Sequence, residues 1–329
     1  MPEPTPAIKS TAAETEPRSD STEPQPAAIK TQPAAIQTQP AAIYTQPAAD
    51  GYPIAARSWR HASAGLSPRG QVIFLHGIIS HSGWYTQSCD KLAQHGFDVT
   101  FLDRRGSGMN TAGRGDVDTH HTWLRDVEDF LAGLPTTTPR ILIGISWGGK
   151  LAAEITKRRP DLVDGLGLIC PGIYAFQFPP AWKYRLLAAA TRLGLGGLRV
   201  PIPLRDPALF TDVPRWQHYI ATDASTLRRV SLRFALADRA LTESARQNVD
   251  RIRLPTWMVL AGRDRIVDNT AMRRFFDSVG SPDKELTEYP EAAHTFEFEP
   301  DPTAYWGDLI RWVESVRRPP RNDPSSDRS

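Results

Sequence analysis

Ser146 is the residue of this chain best placed to act as a nucleophile. It sits in Gly144-Ile-Ser146-Trp147-Gly148, directly after the apolar run Ile141 to Ile145 and before the helix-compatible stretch Lys150 to Ile155. A buried strand that turns sharply into a helix at a serine lifts the hydroxyl clear of the sheet. The turn strains the serine backbone, and the residues two before and two after must be small to avoid collision. A serine hydroxyl also needs a base to take its proton and a group to orient that base.

Functional residues of open α/β sheets stand at the carboxyl ends of strands. The stretch Thr256 to Ala261 is followed by Gly262-Arg-Asp264-Arg-Ile-Val-Asp268, and Glu285 to Tyr289 by Pro290-Glu-Ala-Ala-His294. Of the histidines at 61, 76, 81, 95, 120, 121, 218 and 294, only His294 lies beyond both the serine and a strand-end aspartate. Asp264 is nearer its strand end than Asp268, which suits the N-cap of the next helix. The order serine, aspartate, histidine is that of a hydrolytic triad on a parallel sheet. The developing oxyanion needs donors. The backbone N–H of Trp147, next after the nucleophile, is one candidate. The N–H of Ile78, in the loop after Gln71 to Leu75, is the other. His76 in that loop is assigned to packing and hydrogen bonding rather than to proton transfer.

These residues require a scaffold, and the rhythm of the chain supplies it. Gln71 to Leu75, Phe97 to Leu102, Ile141 to Ile145, Leu162 to Cys170, Thr256 to Ala261 and Glu285 to Tyr289 read as strands. Helices are expected over Trp84 to His95 (ended by Gly96), Thr122 to Leu131 (capped by Asp118 or Thr119), Thr270 to Val279 and Thr303 to Val316. Such alternation gives an α/β fold with a mostly parallel central sheet and crossover helices. Residues 171–250 break it. Apolar and basic residues there recur at helical spacing, as in Trp182 to Ala190 and Ser225 to Leu236, and the segment carries 11 Lys/Arg against 6 Asp/Glu.

Residues 1–50 hold nine prolines and repeat Gln-Pro-Ala-Ala-Ile every seven residues from Gln25. One isoleucine per repeat and a helix-breaking proline exclude a coiled coil. The segment is expected to stay disordered and partly extended, because it buries too little apolar area to offset its ordering entropy. No P-x-x-P spacing occurs in it, which speaks against docking to a proline-binding module. The tail 317–329 is expected to fray. With 39 basic and 37 acidic residues the chain is near neutral, which does not suggest a nucleic-acid protein. Cys89 and Cys170 lie in apolar surroundings and read as inert buried thiols. The N-terminus lacks the basic and apolar regions of a signal peptide, and no run of 18 apolar residues exists, so a cytoplasmic protein is expected.

Taken together, His76-Gly-Ile-Ile-Ser-His-Ser-Gly-Trp-Tyr85, Asp103-Arg-Arg-Gly-Ser-Gly108, Gly144-Ile-Ser-Trp-Gly-Gly149, Gly262-Arg-Asp-Arg-Ile-Val-Asp268 and Ala293-His294 resemble the monoglyceride lipase and lysophospholipase branch of the α/β-hydrolase superfamily, which includes serine aminopeptidase-like hydrolases. The resemblance spans residues 51–316. It implies an α/β-hydrolase fold with a mainly helical cap at 171–250 after the sixth strand, a triad of Ser146, Asp264 and His294, and an oxyanion hole at Ile78 and Trp147. The chain departs from the branch in several places. His76-Gly-Ile-Ile-Ser-His81 stands where members read H-G-x-G-E-H. Ile145 replaces a common histidine, Trp147 is bulkier than usual, and Asn110 replaces a serine.

Other clusters read more plainly. Asp116-Val-Asp118-Thr-His120-His121 suits a loop entering a helix cap better than a metal site. Gly106 and Gly108 lack the spacing of a nucleotide fingerprint. Asp103, Arg104 and Arg105 read as an ion-pair network bracing the active-site loop. The expected activity is hydrolysis of a carboxylic ester of a single-chain lipid, a monoacylglycerol or lysophospholipid, through an acyl-enzyme and without a cofactor. The basic cap reads equally as a solvated helical face or as a patch near Trp182 to Leu198 for peripheral contact with anionic head groups or a membrane surface. A proline iminopeptidase-like peptidase is the nearest rival, and it would need acidic residues in the cap such as Glu243. A non-catalytic binding protein on the same fold is the rival of another class.

Overall fold

The computed structural model describes residues 42–61, 67–177 and 179–318. The expectations for residues 1–41 and 319–329 lie outside the described residues.

The first elements are β1 (Ala42–Pro47), β2 (Pro53–Trp59), β3 (Gln71–Leu75), α1 (Thr86–Gln94), β4 (Asp98–Leu102), α2 (His120–Ala132), β5 (Arg140–Ile145), α3 (Trp147–Arg158) and β6 (Gly165–Ile169). A cap follows, with α4 (Ala181–Ala190), β7 (Arg199–Pro201), α5 (Pro214–Thr222), β8 (Arg229–Ser231) and α6 (Leu232–Ala245). The core resumes with β9 (Thr256–Ala261), α7 (Asn269–Asp277), β10 (Lys284–Tyr289) and α8 (Thr303–Ser315). The main sheet has eight strands in the order β1-β2-β4-β3-β5-β6-β9-β10. Within this sheet the β1–β2 and β2–β4 pairings are antiparallel and the others parallel.

Strands β3, β5, β6 and β9 are buried at every position, as expected where helices cover both faces of a parallel sheet. Each Ile, Leu or Val removed from water there contributes about 1.5–3 kcal/mol. Trp257 in β9 stacks on Trp312 of α8 at 5.5 Å and closes one side of the core. Among the described residues, no helix is long and apolar enough to cross a membrane.

Two expectations need correction. Ala42–Pro47, assigned from sequence to the tail, forms the edge strand β1, in register with β2 from Ala42 opposite Ser58 to Pro47 opposite Pro53. Ile43, Tyr44 and Thr45 are β-branched or aromatic and suit a strand, and proline is tolerated on an edge because its missing N–H faces away from a partner. Ser225 to Leu236 is not one helix. Residues 229–231 form β8 against β7, and α6 begins only at Leu232, with the Ser231 hydroxyl capping the Phe234 N–H. Elsewhere the boundaries are close to expectation. Thr119, not Asp118, caps α2, and Asp268 caps α7 through the Ala271 N–H.

Candidate active site

The serine turn is built as its sequence requires. Ser146 has φ 51° and ψ −117°, a backbone that a non-glycine residue adopts only under strain. A Cβ on Gly144 would fall 2.6 Å from the Gly148 carbonyl oxygen, and one on Gly148 would fall 2.2 Å from the Leu75 carbonyl oxygen. Both positions therefore need glycine.

Ser146, Asp264 and His294 meet above the carboxyl ends of β5, β9 and β10. The Ser146 hydroxyl oxygen lies 3.0 Å from His294 Nε2, and His294 Nδ1 lies 2.7 Å from Asp264 Oδ2. The other Asp264 oxygen accepts from the N–H groups of Ile266 and Val267. With Asp264 accepting at Nδ1, that nitrogen carries the proton and Nε2 is free to accept from the serine. The imidazole and carboxylate are almost completely buried. Burial pushes the Asp264 carboxyl up, but the His294 charge and hydrogen bond, with the Val267 and Ile266 amides, outweigh it and hold it below its usual range. Cys170 lies beside them, its thiol raised well above its ordinary value by burial and then by the Asp264 charge. Donor atoms of Cys170, Asp264 and His294 fall within 4.8 Å of one another. The Asp264 carboxylate oxygens are already taken by His294 and two amides.

Ile78 and Trp147 line the same cavity as Ser146, and neither amide N–H has a backbone acceptor among the described residues. His76 lies beneath. Its Nε2 accepts from the Arg104 N–H at 2.8 Å, so Nδ1 carries the proton and donates to the Gly77 carbonyl at 2.7 Å. Burial, and next the Arg104 charge, depress His76 to about 3, and the ring stays neutral. Asn110 earns its place by bridging strands and loop. Its Oδ1 accepts from the Ala55 N–H, and its Nδ2 donates to the Asp103 and Arg104 carbonyls. Arg105 pairs with Asp50 and Asp126 and lies over the Tyr52 ring. Arg104 pairs with no carboxylate among the described residues, so only part of the expected ion-pair network forms. In the histidine-rich stretch, Asp116 is engaged by Arg233 and the Ser231 hydroxyl, and Asp118 by Thr119 and Thr122.

A cavity of about 180 Å³ leads from Ser146 into the cap, walled by Tyr184, Leu187, Val200, Ile202, Leu204 and Phe234. Its charged groups are Lys150 and Asp238, 2.7 Å apart. Asp223, Asp238 and Glu297 carried no sequence signal. His81 and Asp223 join the site loop to the cap at 2.6 Å, with the Trp84 indole N–H also donating to Asp223. Glu297, three residues after His294, is buried and accepts from the Gln87 and Ser88 N–H groups at the start of α1. A motif search could not find them, because each pairing joins segments remote in sequence. On the cap's outer side Phe176, Trp182, Leu186, Leu193, Leu195 and Leu198 are exposed, Leu193 at 80%.

A mostly parallel eight-stranded sheet, a serine elbow after β5 and a helical cap after β6 define an α/β-hydrolase. Residues 66–301 match the family described as serine aminopeptidase, S33 (Hydrolase_4), and the chain belongs to that family. It is similar to a monoacylglycerol lipase of Mycolicibacterium smegmatis, 27% identical over 260 residues, 75% of this chain and 89% of the relative. It is also similar to phospholipase YtpA of Bacillus subtilis, 26% identical over 243 residues, 71% of this chain and 91% of the relative. Among solved structures, the monoacylglycerol lipase of Paleococcus ferrophilus shares the fold with a TM-score of 0.72 at 23% identity, covering 80% of this chain and 99% of the other.

Proposed function

We propose that this chain hydrolyses the carboxylic ester of a single-chain lipid, with a monoacylglycerol as the best-supported substrate. The observation that carries this is the Ser146–His294–Asp264 chain of hydrogen bonds opening into an apolar cap cavity. Ser146 Oγ attacks the ester carbonyl carbon while His294 Nε2 takes its proton. Asp264 keeps the imidazole oriented and stabilises its cationic form. The Ile78 and Trp147 N–H groups receive the negative charge that develops on the carbonyl oxygen. Collapse of the tetrahedral intermediate expels the alcohol, which takes the proton from His294. Water, deprotonated by His294, then attacks the acyl-enzyme and releases the acid and Ser146.

The cavity's size and lining favour this substrate class. A volume of about 180 Å³ suits one acyl chain better than two. Lys150 is matched by Asp238, so the cavity presents no uncompensated cation to a phosphate, and this favours the uncharged ester over a lysophospholipid. The peptidase alternative loses ground for a similar reason. Glu243 is exposed and paired with Arg239, and Asp238 already serves Trp147 and Lys150. The intact proton chain speaks against a non-catalytic binding protein. The exposed apolar residues of α4 and the following turn are interleaved with Lys183, Arg185, Arg192 and Arg199, and this combination suits an anionic bilayer surface. Two free, buried cysteines are in keeping with a cytoplasmic site of action.

The test is labelling with a fluorophosphonate, which should modify the wild type and not Ser146→Ala. Wild type that resists the label would overturn the enzyme reading. A panel of monoacylglycerol, lysophospholipid, short p-nitrophenyl esters and proline amides should show fastest turnover of the monoacylglycerol. Turnover of the proline amide alone would replace the substrate.

A further inference from the structure

Arg104 is buried, and burial lowers its guanidinium to about 9. A cation taken out of water usually meets a carboxylate, but this one spends its donors differently. Nη1 donates to the Gly77 carbonyl at 3.3 Å, and Nη2 donates to the Ile78 carbonyl at 3.0 Å and to the Ser107 hydroxyl at 2.7 Å. Its plane faces the Trp147 indole, with 4.3 Å from Cζ to the ring centroid, and Phe234 of α6 lies 5.5 Å away. One side chain thus touches Ile78 and Trp147, which both line the cavity at Ser146.

The contact with Gly77 has a geometric consequence. In a trans peptide the C=O and the following N–H point in opposite directions. The Gly77 carbonyl is fixed by the Arg104 guanidinium and His76 Nδ1, so the N–H of the same peptide, that of Ile78, is turned to the other side. Ser146 stands close by. A Cβ built on Gly77 would lie 3.3 Å from Ser146 Cβ and 3.6 Å from its hydroxyl oxygen. The stack on Trp147 acts at the second donor, whose indole is also held by Asp238.

We infer that Arg104 is the positioning residue of the oxyanion site, fixing the Gly77–Ile78 peptide through the Gly77 carbonyl, Ile78 also through its own carbonyl, and Trp147 by its ring, so that both N–H groups point at the developing oxyanion. This rests on the proposed serine hydrolase mechanism and deepens it. Arg104 touches no reacting atom. Its effect appears only where charge develops on the substrate oxygen, which separates it from a residue that merely holds the loop together.

The test compares Arg104→Met, which removes the donors and keeps the bulk, with wild type on a p-nitrophenyl ester and on a long-chain alkyl trifluoromethyl ketone. That ketone adds the Ser146 oxygen to its carbonyl carbon. The C=O π pair becomes an alkoxide in the oxyanion site, and the serine proton passes to His294. In Arg104→Met, kcat should fall about 10–100-fold, less than or near the about 10²–10³-fold for loss of a donor outright. KM should stay within about twofold, and Ki for the ketone should rise by the same factor as kcat falls. An unchanged Ki, or a loss confined to KM or to the melting temperature, overturns the inference. Arg104→Lys keeps the charge and one donor head, and decides the matter should the methionine variant fail to fold. It should raise Ki about 3–10-fold, and a wild-type Ki overturns the inference. Wild type that neither hydrolyses the ester nor takes up fluorophosphonate would instead defeat the proposed function.

Discussion

Asp238 in the cap holds Trp147 in the serine elbow: its Oδ1 accepts from the indole N–H at 2.6 Å and from Lys150 Nζ at 2.7 Å. The cap is therefore bonded to the helix that follows Ser146. Lys150 is lowered by burial, with Asp238 opposing the shift, so its charge depends on that partner. Removing one member of a buried pair leaves the other uncompensated. Asp238→Leu should cost about 3 kcal/mol in urea unfolding, and Lys150→Met a similar amount. The double variant should lie closer to wild type than the sum of the two. Strict additivity would show that the pair is not coupled.

The proton chain predicts unequal losses in ester hydrolysis. Ser146→Ala and His294→Ala should each lower kcat by about 10⁶-fold, and Asp264→Asn by about 10⁴-fold. Combining Ser146→Ala with His294→Ala should add little to either alone, because the two act as a unit. Independent, multiplying effects would contradict the assignment.

Glu297 predicts a pH dependence of stability. Burial raises its carboxyl from 4.5 to about 7, against hydrogen bonds from Ser88, Gln87 and Trp306 that favour the anion. The unfolded chain thus loses this proton near pH 4.5 and the folded chain near 7. Between those values the folded state binds more protons, and stability falls as pH rises through the window, by up to about 3 kcal/mol. Glu297→Gln should flatten the profile of melting temperature between pH 5 and about 8. A wild-type slope in that variant would assign it to another group.

The exposed apolar face of the cap predicts a separation of binding from chemistry. Trp182→Ser combined with Leu186→Ser and Leu193→Ser should weaken sedimentation with phosphatidylglycerol vesicles by about tenfold or more, since each anchor contributes about 1 kcal/mol or more of buried area. Hydrolysis of a short soluble p-nitrophenyl ester should stay near wild type. Equal vesicle binding by both proteins would exclude this face as the contact.

The glycine-bracketed serine, the strand-end aspartate and the histidine after the last strand were visible in sequence, because each depends on a local strand-to-loop transition with its own spacing. Asp268 was separable from Asp264 for the same reason: an N-cap is a local role, and the Asp268 carboxylate accepts from the Ala271 N–H three residues on. Asp223, Asp238 and Glu297 were not visible. Each is one acid among many until the fold sets it against His81, Lys150 or the first turn of α1. The tail boundary was misplaced because Ala42–Pro47 takes its hydrogen bonds from β2, and composition does not report a neighbour. The short β7–β8 ribbon was missed because three residues per strand are too few to display an alternating pattern.

By itself, then, the sequence determined the order and local geometry of the proposed reacting groups: an elbow at Ser146 that tolerates only small neighbours, with Asp264 and His294 at later strand ends. Tertiary structure decided what surrounds them. It set the cavity's apolar walls and neutralised Lys150 with Asp238. It also turned Arg104 from an expected partner of carboxylates into a donor to the Gly77 and Ile78 carbonyls beneath a tryptophan face. The physical reason is range. Backbone strain and capping act over a few residues, whereas burial and the pairing of charges depend on which distant segments the packed sheet brings together.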